Sequence, residues 1–210
     1  MILRNQWGLL VVLAFASCGP RERCSLSPES LLAKQRLSML QLNWTADTLT
    51  IVSADLLVWQ PFGRDDRLIF SDQDQGPASQ DTVRTVNGKR YHVHRLVYPS
   101  GLVLETRAAG ASSSEVLIAT SPLGPVPQAL LRATITSARV HLAQGVAVGV
   151  RRDRFLDILF QGLSPGERRC LAQYRTIVLA DPTGEVIEQE YTFAGDTLAI
   201  IHLFKPGLNE

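Results

Sequence analysis

Three thiols, four imidazoles and scattered carboxylate and guanidinium groups are the side chains of this 210-residue chain that could do chemistry. His92 and His94 flank one residue in "YHVHRLVY", so on a strand they share a face and could bind a metal together. No third ligand has convincing spacing, since His141 and His202 stand far along the chain; the plainer expectation is one polar face of an edge strand. "GVRRDR" sets Arg151, Arg152 and Arg154 at the start of a helix, where the macrodipole disfavours cations. Two readings stay open there: an anion or carboxylate site built from guanidinium forks and free backbone N–H groups, or a solvated helix end whose charge Asp153 softens. Asp65-Asp66, in a loop, and Glu188 with Glu190, same-facing on a strand, do not make a glycosidase pair. No Gly-x-Ser-x-Gly elbow occurs, and "GASSSE" reads as a flexible loop, a poor platform for a nucleophile. Catalytic residues therefore stay unknown, and no metal or cofactor is expected.

The cysteine at position 18 has the strongest context. Arg4 precedes an uncharged apolar run from Trp7 to Phe15, too short to span a bilayer core of about 30 Å, which takes roughly 20 residues as a helix. That is the form of a secretory signal peptide. Its end, Phe15-Ala16-Ser17-Cys18, resembles the lipobox of bacterial lipoproteins, with Phe15 where Leu is usual. The resemblance implies cleavage before Cys18, acylation of its thiol, and attachment to a membrane by chains that contribute about 0.8 kcal/mol per buried methylene. Gly19, not Asp, follows Cys18, which by the proteobacterial sorting rule implies the outer membrane. An ordinary cleaved signal that leaves Cys18 a bare thiol, or an uncleaved anchor, is the plainer alternative.

Residues 1–17 hold one cation and no acid, so their removal leaves 20 Lys and Arg against 20 Asp and Glu. A neutral chain offers no footprint for nucleic acid and no polybasic membrane patch. About 190 residues suffice for one domain with a substantial core or two small ones. Cys24 and Cys170 remain in what should be an oxidising compartment and could pair, but spacing alone does not bring two cysteines within bonding distance.

The elements behind these residues read as α+β. Ser27 as N-cap and Pro28 at the first helical position open an amphipathic helix that should run to about Gln41. Asn43-Trp44-Thr45 matches a glycosylation sequon, but Trp44 is expected chiefly as core. "DTLTIVSADLLVW" reads as one or two strands, and Asn87-Gly88 as the turn of a hairpin between Thr82–Val86 and Tyr91–Tyr98. Pro99-Ser100-Gly101 turns into "LVLETR", and "EVLIAT" follows, so the sheet is expected to be antiparallel. "GVAVG" should be a glycine-punctuated strand before a short helix that ends at Gly162, and two more strand regions close the chain. The organisation is thus a signal peptide over 1–17, a lipidated tether over 18–27 and an α+β domain over 28–210, with a candidate subdomain break at the Pro-rich 121–128.

The stretch from Thr134 to Phe204 resembles the small lipoprotein domains grouped around the outer-membrane assembly component BamE and the β-lactamase-inhibitor-protein fold. A glycine opening a short helix (Gly149 to Phe160) and the run Tyr191-Thr192-Phe193-Ala194-Gly195-Asp196-Thr197-Leu198 carry the resemblance, though the usual Gly-Pro after the helix is absent. It implies a helix packed on a small antiparallel sheet and a role in binding other proteins. The expected function is a lipid-anchored, non-catalytic binding or scaffolding module of the cell envelope, on the periplasmic face of the outer membrane. Its partners would be the membrane, through the N-terminal lipid, and another envelope protein. The alternatives are a periplasmic hydrolase with an unrecognised active site, or a carrier of a lipophilic ligand.

Overall fold

The computed structural model describes residues 26–35, 40–53, 67–68, 78–86, 89–108, 117–118, 128–142, 145–183 and 187–206. They form three short helices and a large sheet. The helices are α1 (Pro28–Gln35), α2 (Arg152–Leu159) and α3 (Pro165–Ala172). The strands are β1 (Gln41–Trp44), β2 (Thr48–Val52), β3 (Arg67–Leu68), β4 (Ala78–Val86), β5 (Lys89–Val97), β6 (Leu102–Ala108), β7 (Leu117–Ile118), β8 (Gln128–Ile135), β9 (Thr176–Ala180), β10 (Glu188–Ala194) and β11 (Thr197–Phe204). Nine of them follow the order β1-β2-β9-β10-β11-β8-β6-β5-β4, and the β3–β7 pair joins at β8.

The sheet is mixed, which corrects the antiparallel expectation. β2 runs parallel to β9, Leu49 beside Ile177 and Ile51 beside Leu179, and β3 runs parallel to β7. All four of those central side chains are completely buried. A strand buried in this way tolerates a parallel neighbour, and the connection from β2 to β9 is long enough for any crossover. Most other pairs are antiparallel neighbours in sequence, including the expected β4–β5 hairpin in register from Ala78↔Val97 to Val86↔Lys89. The turn before β6 is also as expected: Gly101 takes φ +88°, and a Cβ there would stand 2.5 Å from the Thr136 hydroxyl oxygen. Only glycine fits that turn without displacement.

Three local expectations give way. The first helix is described over Pro28–Gln35, and Gln41, expected as its last residue, instead opens strand β1. Ser27 is its N-cap as expected, its hydroxyl accepting from Ser30 N at 3.0 Å. "GVAVG" forms no strand; Ala147 makes only an isolated bridge to His141, and Gly149, at φ +90°, turns the chain into α2. Trp44 is not core. It ends an outermost strand with a neighbour on one side only, and 59% of it is exposed.

One helix was missed, although its signal is in the sequence. Ser164-Pro165-Gly166-Glu167 is a complete capping box with proline at the first helical position, and Ser164 and Glu167 hydrogen-bond each other's backbone N–H at 3.3 and 2.6 Å. Residues 121–127 lie outside the described set, and strands from both sides of them share the one sheet.

The core lies where α2 meets β10. Phe155 inserts edge-on against Tyr191 and Phe193, with ring centroids at 4.8 and 5.1 Å. Leu156, Leu159 and Phe160 extend this contact, and Leu171 and Cys170 of α3 and Leu31 of α1 belong to the same cluster. Such edge-to-face pairs add about 0.5–1.5 kcal/mol each beyond area burial.

Candidate functional site

The start of α2 is stitched to the β10–β11 turn. Gly149 N donates to Leu198 O, Leu198 N to Val150 O and Arg152 N to Asp196 O, at 2.8, 2.9 and 2.7 Å. This places Arg152, expected at a solvated helix end or an anion site, inside the molecule at 7% exposure. Its guanidinium donates to Tyr174 O at 2.6 Å and Gly195 O at 2.7 Å and lies 4.0 Å above the Phe193 ring. The two carbonyls end a helix and open a turn, where backbone acceptors lack partners of their own. Burial lowers the guanidinium's pKa and the Asp196 carboxylate opposes the shift. The group stays charged regardless, because arginine does not deprotonate in proteins. Its Nε is buried without a hydrogen-bond partner, and Asp196 Oδ1 stands 3.9 Å away.

Around Arg152 other cations gather. A cavity of about 230 Å³ between α2 and α3 is lined by Arg151, Arg152, Arg168 and Arg169, with Asp153 and Asp196 at its rim and Leu156 and Ala172 as apolar wall. A second hollow of about 390 Å³ shares Arg152 and adds Arg175. Arg151 is 75% exposed along its side chain and pairs with Asp153 at 3.3 Å, while Arg168 pairs with Asp157 at 2.5 Å. The Asp153 carboxyl is held below the usual range by hydrogen bonds from Arg151 and from Arg154 N. Arg154 is exposed on α2. The solvated reading thus fits Arg151 and Arg154, whereas Arg152, whose N–H donates to Asp196 O and whose guanidinium donates to two carbonyls, fits neither reading. Sequence reasoning missed Arg168, Arg169 and Arg175, because α3 was not read and nothing in the spacing brings residue 152 to residue 169.

The back of α3 is tied to α1. Ser30 Oγ donates to Glu167 at 2.6 Å and Lys34 Nζ at 2.5 Å, and Gln35 and Gln161 exchange side-chain-to-backbone hydrogen bonds of 2.8 and 3.1 Å. Burial would raise the Glu167 pKa, but hydrogen bonds from Lys34, Ser30 and Ser164 outweigh it and hold the carboxyl at about 2. Cys170, next to Arg169, is buried and disulfide-bonded.

The remaining candidates stay apart. His94 Nδ1 lies 2.7 Å from Asp81 Oδ1 on the β4–β5 hairpin, His92 is exposed beside it, His141 belongs to a bridge and His202 contacts the Thr134 hydroxyl at 3.1 Å. Among the described residues no group of three or more His, Cys, Asp or Glu side chains is placed to hold a metal ion. Glu188 and Glu190 sit half-buried on β10, and burial, then the charge of Asp181, raises the Glu188 pKa. Cys18, Cys24, Asp65, Asp66 and the serine-rich 110–115 lie outside the described residues. Among the described residues no helix is long and apolar enough to cross a membrane. No protein family, curated protein or solved structure matches the chain.

Proposed function

We propose that the protein is a lipid-anchored component of a bacterial cell envelope, held through acylated Cys18 on the periplasmic face of the outer membrane. Its domain works as a non-catalytic binding or scaffolding module for another envelope component. The partners are the membrane and an envelope protein, not nucleic acid. In the same reading the fold is α+β, with an N-terminal amphipathic helix and a short helix laid on the sheet, as in the BamE-like domains that the 134–204 stretch resembles.

The disulfide at Cys170 carries this reading. Bonded thiols persist in oxidising compartments such as the periplasm, the destination that Phe15-Ala16-Ser17-Cys18 encodes. In this reading acylation takes Cys18, so the pair expected in the oxidised protein is Cys24 with Cys170.

Intact-mass measurement of membrane-extracted protein, beside a Cys18→Ala variant, tests this. The expected result is acyl mass that disappears in the variant, and a Cys24–Cys170 peptide pair in a non-reduced digest. An unmodified Cys18, or a Cys18–Cys170 pair, overturns it.

A further inference from the structure

We infer that the outer edge of β4 is a self-association edge: two copies of this chain pair β4 with β4 antiparallel about a two-fold axis at Thr82, joining their sheets into one. The inference depends neither on the lipid anchor nor on the envelope partner proposed above.

The two ends of the strand order are protected unequally. At one end β1 is only four residues long, and a short edge offers a neighbour little to pair with. At the other end β4 has nine residues, about 30 Å of extended backbone. Its ladder to β5 runs from Ala78↔Val97 to Val86↔Lys89 without a bulge, and it contains neither lysine nor proline, the devices that keep exposed edges from pairing. Among the described residues no strand lies on its other side, and Ser79, Asp81, Val83 and Thr85 are exposed. The direction of their backbone groups follows from the next strand pair. Tyr98, just after β5, donates its N–H to Leu102 O of β6 at 2.9 Å. Alternate residues of a strand address the same neighbour, so Tyr91, Val93, Arg95 and Val97 address β4. Their partners there are Arg84, Thr82, Gln80 and Ala78, which leaves the N–H and C=O of Ser79, Asp81, Val83 and Thr85 directed outward.

Self-complementarity selects the occupant. Centred on Thr82, an antiparallel copy sets Ala78 beside Val86 of the other chain, so the strands overlap from end to end. Ser79 then stands opposite Thr85 of the copy and Asp81 opposite Val83, and in such a pair the two residues exchange both backbone hydrogen bonds. Every outward-directed group is thereby answered. The side chains agree with that register: Thr82 meets Thr82, Gln80 meets Arg84, and no like charges stand directly opposite. The charged groups are already engaged within the chain, Asp81 with His94 at 2.7 Å and Arg84 with Glu105 at 3.0 Å, so the edge neither repels a copy nor attracts a segment of one charge. Val83, 41% exposed, gains a neighbour across the junction. Each copy offers one such edge, so the assembly closes at two. A single strand pair buries less than the roughly 800 Å² per partner of a standard interface, which makes this dimer dependent on concentration.

Sedimentation velocity of the full chain carrying Cys18→Ala, so that no acyl group gathers copies into one micelle, is the test, together with cysteine cross-linking in the same background. The expected mass rises from monomer toward dimer with concentration. Val83→Pro should abolish the rise while leaving the urea midpoint in place, because its ring obstructs the outer edge and the N–H it removes does not face β5. Under mild oxidation Thr82→Cys should cross-link into a dimer, since a non-hydrogen-bonded antiparallel pair sets its Cα atoms about 4.5 Å apart, within disulfide range. Gln80→Cys, displaced from its own copy by about 13 Å in this register, should cross-link no more than the chain without it. A monomer at every concentration with no Thr82→Cys cross-link overturns the inference. So does a dimer that persists in folded Val83→Pro, or Gln80→Cys cross-linking as fast as Thr82→Cys. If Val83→Pro lowers the urea midpoint, the comparison of the two cysteine variants decides alone. Protection of the β4 amides from hydrogen exchange only when a different protein is added also overturns it and reassigns the edge to that protein.

Discussion

Strands β10 and β11 lie under α2, with α3 and α1 braced behind it, whereas β5 and β4 close the far end of the strand order. On β10 the alternate residues Gln189, Tyr191 and Phe193 are completely or almost completely buried, and Phe155 closes over the two rings. On β4 every residue from Ala78 to Thr85 is exposed except half-buried Arg84, and Val83 shows 41% of its surface. Both are seven- to nine-residue strands with full ladders on their paired sides. The ladder is therefore common to both regions, and the difference lies in what covers the pleat. In the covered half stability comes from apolar burial. On β4 it comes from the ladder and from surface pairs such as Arg84 with Glu105 at 3.0 Å and His94 with Asp81, while β5 beside it still buries Val93 and Leu96.

The contrast breaks most sharply at Phe155. Phe155→Ala should cost about 3–5 kcal/mol, read as a lowered urea midpoint, because it opens a cavity between two rings and a helix. Glu167→Gln comes next, at about 2–3 kcal/mol, since it removes the charge that Lys34, Ser30 and Ser164 converge on. Its sign with pH is fixed by a folded pKa of about 2 below an ordinary value of 4.5. The wild type keeps this stabilisation above pH 4.5 and loses it progressively as pH falls toward 2, while the variant lacks that dependence. Thermal unfolding at several pH values would check it. Arg152→Met should cost about 1–3 kcal/mol by leaving the carbonyls of Tyr174 and Gly195 without their donor, with hydrogen exchange rising first at the β10–β11 turn. Asp81→Asn on the hairpin should change stability by less than about 1 kcal/mol, as exposed pairs do. If it matched Phe155→Ala in effect, the hairpin would not be the peripheral region described.

Legibility followed the same division. The β4–β5 hairpin, the Gly101 turn and the two closing strand regions could be read because their signals are local: turn residues between runs of strand formers. The capping box at Ser164 was equally local and went unread, which cost the helix that holds Arg168 and Arg169. The parallel pairing of β2 with β9 could not be read, since it joins residues more than a hundred apart and strand composition does not encode direction. Trp44 misled for a related reason: its hydrophobicity is local, but its exposure follows from belonging to the outermost strand.

The sequence by itself determined where most of the strands and turns fall, because turn residues and runs of strand formers act within a few residues, and it fixed a near-neutral balance of 21 Lys and Arg against 20 Asp and Glu. Only the tertiary structure decided the rest. It chose which strand edges pair, buried Arg152 against two carbonyls while leaving Arg151 and Arg154 in solvent, and brought arginines from α2 and α3 to one groove. Those outcomes are set by which surfaces of distant segments exclude water together, and no short window of residues contains both partners.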